Sequence, residues 1–361
     1  MSILNEQANK LIQKELGRAK NASMGLGVIT KEQKWVSGHL YDENRNTDIG
    51  DCIFEMGSTT KTFTSLLFAK LVLEGTISLD EPVTTFKPEY KNALSYNGKE
   101  VTFRHLSTHT SGLPREDMKK IRQRMKENKQ DKDNPYKHFT HDDIHQFFLD
   151  YDLKREIDQK WRYSNIGVGL LGNILAEILG VTYEQAIQSH ILEPLCLKDT
   201  FITGTAEQNS RYVKAYNQKK EPIRPMELPA INGAGALKSS LHDMLQYLEY
   251  QIGLKESPLQ EAMALTHQTH GKTSWKKTSM GLGWFIEQVK WSEFPLIHHG
   301  GTTMGFHTFC GFIKEKQIGV VIFSTIQLSA WRIIKMLIKL EKGVNEDIAE
   351  EIFKAHLEQT S

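Results

Sequence analysis

The sequence predicts an α/β fold, with a mostly antiparallel sheet flanked by helices and a mainly helical domain inserted into it. Strand-like runs rich in β-branched and aromatic residues gather near both ends, at 25–29, 34–40, 281–289, 306–313 and 318–325. Between them, 58–275 shows long helical patterns such as 63–73 and 166–179, separated by polar, proline-punctuated loops. A length of 361 residues suits two domains or one interleaved one, and 39% hydrophobic residues suffice for a sizeable core. Residues 1–57 plus 276–361 are therefore assigned to the sheet domain and 58–275 to the helical one. The cleft between them is the default place for a site.

Taken in order, Leu4, Ala8, Leu11 and Ile12 share one face of an opening helix that Gly17 can stop. The runs at 25–29 and 34–40 flank the polar turn Thr30-Lys31-Glu32-Gln33 and read as a hairpin. The stretch 115–133 mixes basic and acidic residues without an apolar stripe, so it reads as a solvated surface excursion with no assigned function. Near the end, Lys314 to Gln317 form a turn between two strands. A helix with Ala330, Ile333, Ile334 and Leu337 on one face follows, then another carrying Ile348, Ile352 and Phe353.

Composition excludes several function classes. Lys and Arg number 45 against 44 acidic residues, a net charge of +1, which gives no electrostatic footprint for nucleic acid or an anionic membrane surface. Cys52, Cys196 and Cys310 are too widely spaced for a disulfide framework or a zinc site and read as small core residues. No segment has the apolar length of a membrane span, and the N-terminus lacks the features of a secretory signal. The expected location is cytoplasmic; the alternative is an exported protein whose signal is absent from this sequence.

Three motifs can carry chemistry. Ser58-Thr59-Thr60-Lys61 is an SxxK tetrad, and residues i and i+3 of a helix share a face, which sets an amine beside a hydroxyl. Composition alone yields about one or two such matches in a chain this long, and Ser274-Trp275-Lys276-Lys277 is a second. Ser58 differs by following Gly57 and a strand-like segment and by opening an apolar helix, whose N-terminus favours developing negative charge. The alternative is an N-cap serine. Tyr163-Ser164-Asn165 precedes another apolar helix and offers a phenol and an amide to one cleft, or else a capping turn. In His298-His299-Gly300-Gly301, His298 and Gly300 face alike on a predicted edge strand, and the glycines let a substrate approach the backbone.

In this order the motifs resemble the penicillin-recognising serine hydrolases of the class C β-lactamase and D-alanyl-D-alanine carboxypeptidase type, which include D-aminopeptidases and esterases. The similarity runs over roughly residues 20–325. It includes Leu106-Ser107-Thr108-His109-Thr110-Ser111-Gly112-Leu113-Pro114, Glu193-Pro194-Leu195-Cys196-Leu197-Lys198-Asp199-Thr200, the segment from Ala234 to Ser240 and Gly281-Leu282-Gly283-Trp284. The resemblance implies a β-lactamase/transpeptidase-like fold and Ser58 as nucleophile, with Lys61 and Tyr163 sharing its activation. It implies that Asn165 holds a substrate amide, that the backbone N–H groups of Ser58 and Gly301 form the oxyanion hole, and that His298 and Gly300 line the substrate. Either Lys61 or Tyr163 can take the proton: the amine if burial and nearby positive charge lower its pKa, the phenol if Lys61 stabilises its phenolate. A histidine where the β-lactamases carry Lys-Thr-Gly is a weaker anchor for a carboxylate, so strong β-lactamase activity is not expected.

The expected function is a cofactor-free serine hydrolase acting on a small-molecule or short-peptide substrate. A D-Ala-type carboxypeptidase or D-aminopeptidase ranks first, then an esterase, then a weak β-lactamase. A non-catalytic penicillin-binding sensor is the alternative from another class. Gly167-Val168-Gly169-Leu170-Leu171-Gly172 satisfies GxGxxG but follows no strand, and close helix packing explains it better than a nucleotide. His105 with His109, His267 with His270, and the group His138, His141 and His145 lack convincing carboxylate partners for a metal and read as solvated or capping histidines.

Overall fold

The computed structural model describes residues 3–19, 21–41, 47–131, 133–327 and 343–360. Its centre is an eight-stranded, wholly antiparallel sheet of β1 (Met24–Ile29), β2 (Lys34–His39), β3 (Gly271–Lys272), β4 (Thr278–Met280), β5 (Phe285–Glu287), β6 (Leu296–Thr302), β7 (His307–Ile313) and β8 (Ile318–Ser324). The spatial order is β2-β1-β8-β7-β6-β5-β4-β3, so the N-terminal hairpin completes a sheet begun at the other end of the chain. In that hairpin the Thr30 N–H donates to Gln33 O at 2.8 Å, and Thr30 Oγ1 accepts from the N–H groups of Glu32 and Gln33. The sheet gathers its C-terminal strands from Gly271 onward, ahead of the expected boundary at 276.

Strand alternation gives each face of the sheet its own core. Leu26, Val28, Val320 and Ile322 pack on one face against α1 (Ile3–Leu16) and the C-terminal helix Val344–Thr360, which contributes Ile352 and Phe353. Fully burying each such side chain is worth roughly 1.5–3 kcal/mol. The other face meets the helix Leu241–Gln251, whose Leu241, Leu245 and Leu248 lie against Gly25, Gly27 and Gly319. Phe312 and Phe323 of the sheet share one core with Phe63 and Leu67 of α2 (Thr60–Leu73) and with Leu171 and Leu175 of α3 (Asn165–Leu179). Helix α2 is almost wholly buried, including Thr60, Lys61, Thr62, Thr64 and Ser65 in its first turns as well as the apolar run that follows. Helix α3 starts where the Ser164 side chain accepts from Gly167 N–H and stops at Gly180 in the left-handed conformation.

The glycines of the GxGxxG run serve packing. A Cβ at Gly169 would lie 2.5 Å from Ile231, and one at Gly172 would lie 3.0 Å from Tyr183. Their absence lets the 231–234 segment close onto α3, which matters for the site below.

Several expectations need correction. The run 281–289 is not one strand: Gly281 N–H bonds Trp284 O across a turn, and only Phe285–Glu287 is extended. The Trp284 side chain is fully buried beside Tyr247 and Phe312, and at Gly283 the backbone lies close against Lys61 O and Ser65 of α2. Cys52 and Cys310 are core residues, but Cys196 is exposed, in a turn where its backbone is left-handed at φ 53°. The 115–133 stretch holds a helix, Met118–Glu127, capped by Asp117 and anchored by buried Ile121, and its first two residues reach the site. The helix expected around 330–337 lies outside the described residues. Among the described residues, no single helix is long and apolar enough to cross a membrane.

Candidate active site

Ser58 sits in the turn Gly57–Thr59 that leads into α2. Thr59 Oγ1 lies 2.9 Å from Thr308 Oγ1, and Thr308 Oγ1 donates to Met56 O at 3.0 Å, which ties this turn to β7. Gly57 takes a positive φ of 50°, and a Cβ there would meet Thr302 N at 2.8 Å, so only glycine allows the turn to press against β6.

One turn along α2, the Lys61 amine is 1% exposed and has three partners: Ser58 Oγ at 3.0 Å, Asn165 Oδ1 at 2.8 Å and Ala234 O at 2.6 Å. Two of these can only accept. The Ala234 carbonyl has no proton, and the Asn165 amide is oriented by its Nδ2, which donates to Glu116 Oε1 at 2.7 Å. As an ammonium Lys61 donates to all three partners; once deprotonated, its two N–H groups still satisfy Asn165 and Ala234, and its lone pair faces the Ser58 hydroxyl. Burial, with the Arg115 cation nearby, pushes Lys61 well below the ordinary lysine range, while Glu116 pulls part of the way back.

Tyr163, half-buried, hydrogen-bonds Ser58, and its ring lies 4.8 Å from Lys61 Nζ and 5.2 Å from the Arg115 guanidinium. Burial raises its pKa to about 12 against the opposing pull of Ser58 and Arg115. The phenol is therefore protonated near neutral pH, and of the two candidate bases the amine is the one poised to accept a proton.

The third motif is decided by sheet register. Across the turn from β6 to β7, Thr303 N–H donates to Phe306 O at 2.9 Å. Pairing alternates along an antiparallel ladder, so Gly301, opposite Thr308, also turns its N–H toward β7, whereas Thr302 turns its N–H to the other edge. Strand β5 pairs with β6 only as far as His298, which leaves that edge open at Thr302. The expected oxyanion donor, Gly301, is thus engaged in the ladder, and Thr302 presents the open N–H beside Gly57. A Cβ at Gly301 would lie 2.0 Å from Met56 O, so this glycine serves close approach.

The same alternation separates the two histidines. His298 faces away from Lys61, stacked on Phe309 at 5.8 Å with Nε2 3.2 Å from a Glu287 oxygen. His299 faces the Lys61 side with its Nδ1 2.6 Å from Gly300 O, and burial and Lys61 depress its pKa to about 3. The structure therefore brings Ser58, Lys61, Tyr163 and Asn165 together and adds His299, while His298 and Gly300 line the cavity from the opposite face of β6. That cavity, about 530 Å³, opens over Ser58 and is walled by Arg115, Trp161, Trp275 and Phe285. Ser274 of the second SxxK match lies in the loop between β3 and β4, away from α2. The sequence reading missed Arg115, Glu116, Thr302, His299 and the Ala234 carbonyl. The first two directly follow the segment ending at Pro114, which was the available signal.

Several of the remaining histidines have other partners, such as the Thr102–His105 capping box, His138 with Asp131 and His145 with Tyr90. Among the described residues no group of three or more His, Cys, Asp or Glu side chains could hold a metal ion.

Buried His299 and His109, the latter also well below the ordinary histidine range through burial and Lys61, have a consequence for stability. Their folded pKa values lie below the unfolded value near 6.5, so the unfolded chain binds more protons and stability falls as pH drops below about 6.5. His299, with a folded value of about 3, contributes a loss on the order of 1 kcal/mol at pH 5.5, and His109 acts in the same direction. Denaturant melts at pH 7.5 and 5.5 should show this loss, reduced in His299→Gln; equal stability at both pH values would contradict it.

A family model described as Beta-lactamase matches residues 8–338. The beta-lactamase of Escherichia coli (strain K12) is 24% identical over 92% of this chain and 94% of that protein. The D-alanyl-D-alanine-carboxypeptidase/endopeptidase AmpH of the same strain is 28% identical over 76% of this chain and 71% of its own. The fold is shared with a crystal structure of a class C beta lactamase, at a TM-score of 0.79 and 22% identity over 96% of this chain and 98% of the other. It is also shared with a beta-lactamase/D-alanine carboxypeptidase from Pseudomonas syringae, at 0.77 and 20% over 93% and 98%. With a match over most of its length and a large antiparallel sheet flanked by helices, this chain belongs to the beta-lactamase family and is a serine hydrolase.

Proposed function

We propose that the chain hydrolyses amide or ester bonds of small substrates through an acyl-enzyme on Ser58, at a cleft between a sheet domain (1–57 and 276–361) and a helical domain (58–275). The observation that carries this reading is the three-way bonding of Lys61, whose deprotonated form keeps Asn165 and Ala234 as acceptors and turns its lone pair to the Ser58 hydroxyl. Lys61 takes the Ser58 proton as Oγ attacks the carbonyl carbon, and the N–H groups of Ser58 and Thr302 stabilise the oxyanion. Collapse breaks the bond to the leaving group, which takes a proton from Tyr163, and the Lys61 ammonium reprotonates the phenolate. Water then repeats the sequence in reverse order on the acyl-enzyme and restores all three groups.

Substrates of the D-Ala carboxypeptidase or D-aminopeptidase type rank first, supported by the similarity to AmpH, with esters next. β-Lactams rank last, because His299 is neutral near pH 7 and gives no permanent cation for their carboxylate. Labelling with a fluorophosphonate or a fluorescent penicillin, followed by peptide mapping, should give one adduct per chain, on Ser58. An adduct elsewhere, or none, would overturn the reading. Rates on D-Ala-p-nitroanilide, p-nitrophenyl acetate and nitrocefin then order the substrate classes.

A further inference from the structure

We propose that Glu116 is a positioning residue for the proton transfer, holding the Asn165 amide so that the Lys61 lone pair points at Ser58; this rests on the reading of Ser58 and Lys61 given above. Its carboxylate oxygen Oε1 accepts from Asn165 Nδ2 at 2.7 Å and from the Tyr136 hydroxyl, and lies 3.5 Å from Arg115 Nε. The Glu116 side chain is only 8% exposed, so it is fixed rather than swinging in solvent. No backbone bond fixes which end of the Asn165 amide meets Lys61. With Glu116 present, only the NH₂ end can face the carboxylate, and Oδ1 must face the lysine. Were the amide reversed, two N–H donors would confront the Lys61 amine, and its lone pair would turn from Ser58 to Asn165.

The carboxylate also acts through its charge. It favours the ammonium form of Lys61, opposing Arg115 on the other side. Arg115 and Glu116 are adjacent in the chain, so one dipeptide supplies both signs and adjusts, on top of the larger effect of burial, the pH at which Lys61 becomes a base.

The test separates orientation from charge. Glu116→Gln keeps an acceptor for Asn165 and removes the charge; Glu116→Ala removes both. In Glu116→Gln the acid limb of kcat/KM for p-nitrophenyl acetate should move down by about one pH unit, since Lys61 loses a neighbour that favours its protonated form. At the pH plateau Glu116→Ala should lose about tenfold in kcat, with Gln restoring most of that loss. An acid limb that does not move in Glu116→Gln, or a plateau kcat in Glu116→Ala equal to wild type, would overturn the proposal. Thermal unfolding confirms that the variants compared are folded. Fluorophosphonate labelling of wild-type Ser58 tests the underlying reading separately: labelled serine with an unmoved limb removes Glu116's role alone, and unlabelled serine removes the parent mechanism.

Discussion

Ser58→Ala should lower kcat/KM on p-nitrophenyl acetate by about 10⁴-fold or more, and Lys61→Met should do nearly as much, with the double variant no worse than either. A serine hydroxyl is a poor nucleophile near neutral pH, and the base in bonding contact with Ser58 Oγ and held below its ordinary range is Lys61. Groups that act as a unit fail as a unit, so the two losses overlap rather than add. Methionine is chosen because it fills most of the lysine's volume in a site that is 1% exposed. It still leaves the Ala234 carbonyl and Asn165 Oδ1 without their donor, at a cost to stability of roughly 1–3 kcal/mol each. Activity must therefore be read on protein shown to be folded. Lys61→Met within tenfold of wild type would remove Lys61 as the base and return that role to Tyr163.

What the sequence revealed follows the range of the interaction that decides each feature. The SxxK contact needs only helical spacing, and the hairpin at Thr30 to Gln33 needs only its own turn residues, so both were legible. The first and second motifs also sit at helix starts, where an apolar run announces the element. The third motif was not legible to one residue. Two adjacent histidines before two glycines satisfy the same pattern in either register, and only pairing with β7, fixed by Thr303 and Phe306, decides which histidine faces Lys61. Glu116 was hidden for a related reason. Its stretch is rich in charge and reads as solvated, yet its carboxylate is buried by Asn165 and Tyr136, which lie 49 and 20 residues away. Likewise, nothing local to 281–289 says that Trp284 must enter the core; its partners Tyr247 and Phe312 come from distant elements.

Gly301→Ala should damage the protein twice over, in stability and in turnover. Its Cβ would lie 2.0 Å from Met56 O and 2.3 Å from Thr308 Oγ1, and the first of these is backbone that cannot rotate away. Either β6 or the Gly57–Thr59 turn must shift, at a cost of roughly 1–3 kcal/mol for overpacking a close-fitted contact. Whichever moves, the Thr302 N–H and the Ser58 N–H part company, because Gly57 and Thr302 are in direct apposition and Met56 also receives the Thr308 hydroxyl. A misplaced oxyanion donor costs about 10²- to 10³-fold in kcat. The loss should fall on kcat rather than KM, since the donors act on charge that develops only in the transition state. Gly300→Ala is the control: its Cβ would meet Thr308 O at 3.3 Å and Glu346 at 3.4 Å on the opposite face, so the strand stays seated on Met56. Steady-state kinetics and thermal melts of both variants decide the matter. If Gly301→Ala turned over like the wild type, the nucleophile turn and β6 would not be locked together, and Thr302 could not be the second donor.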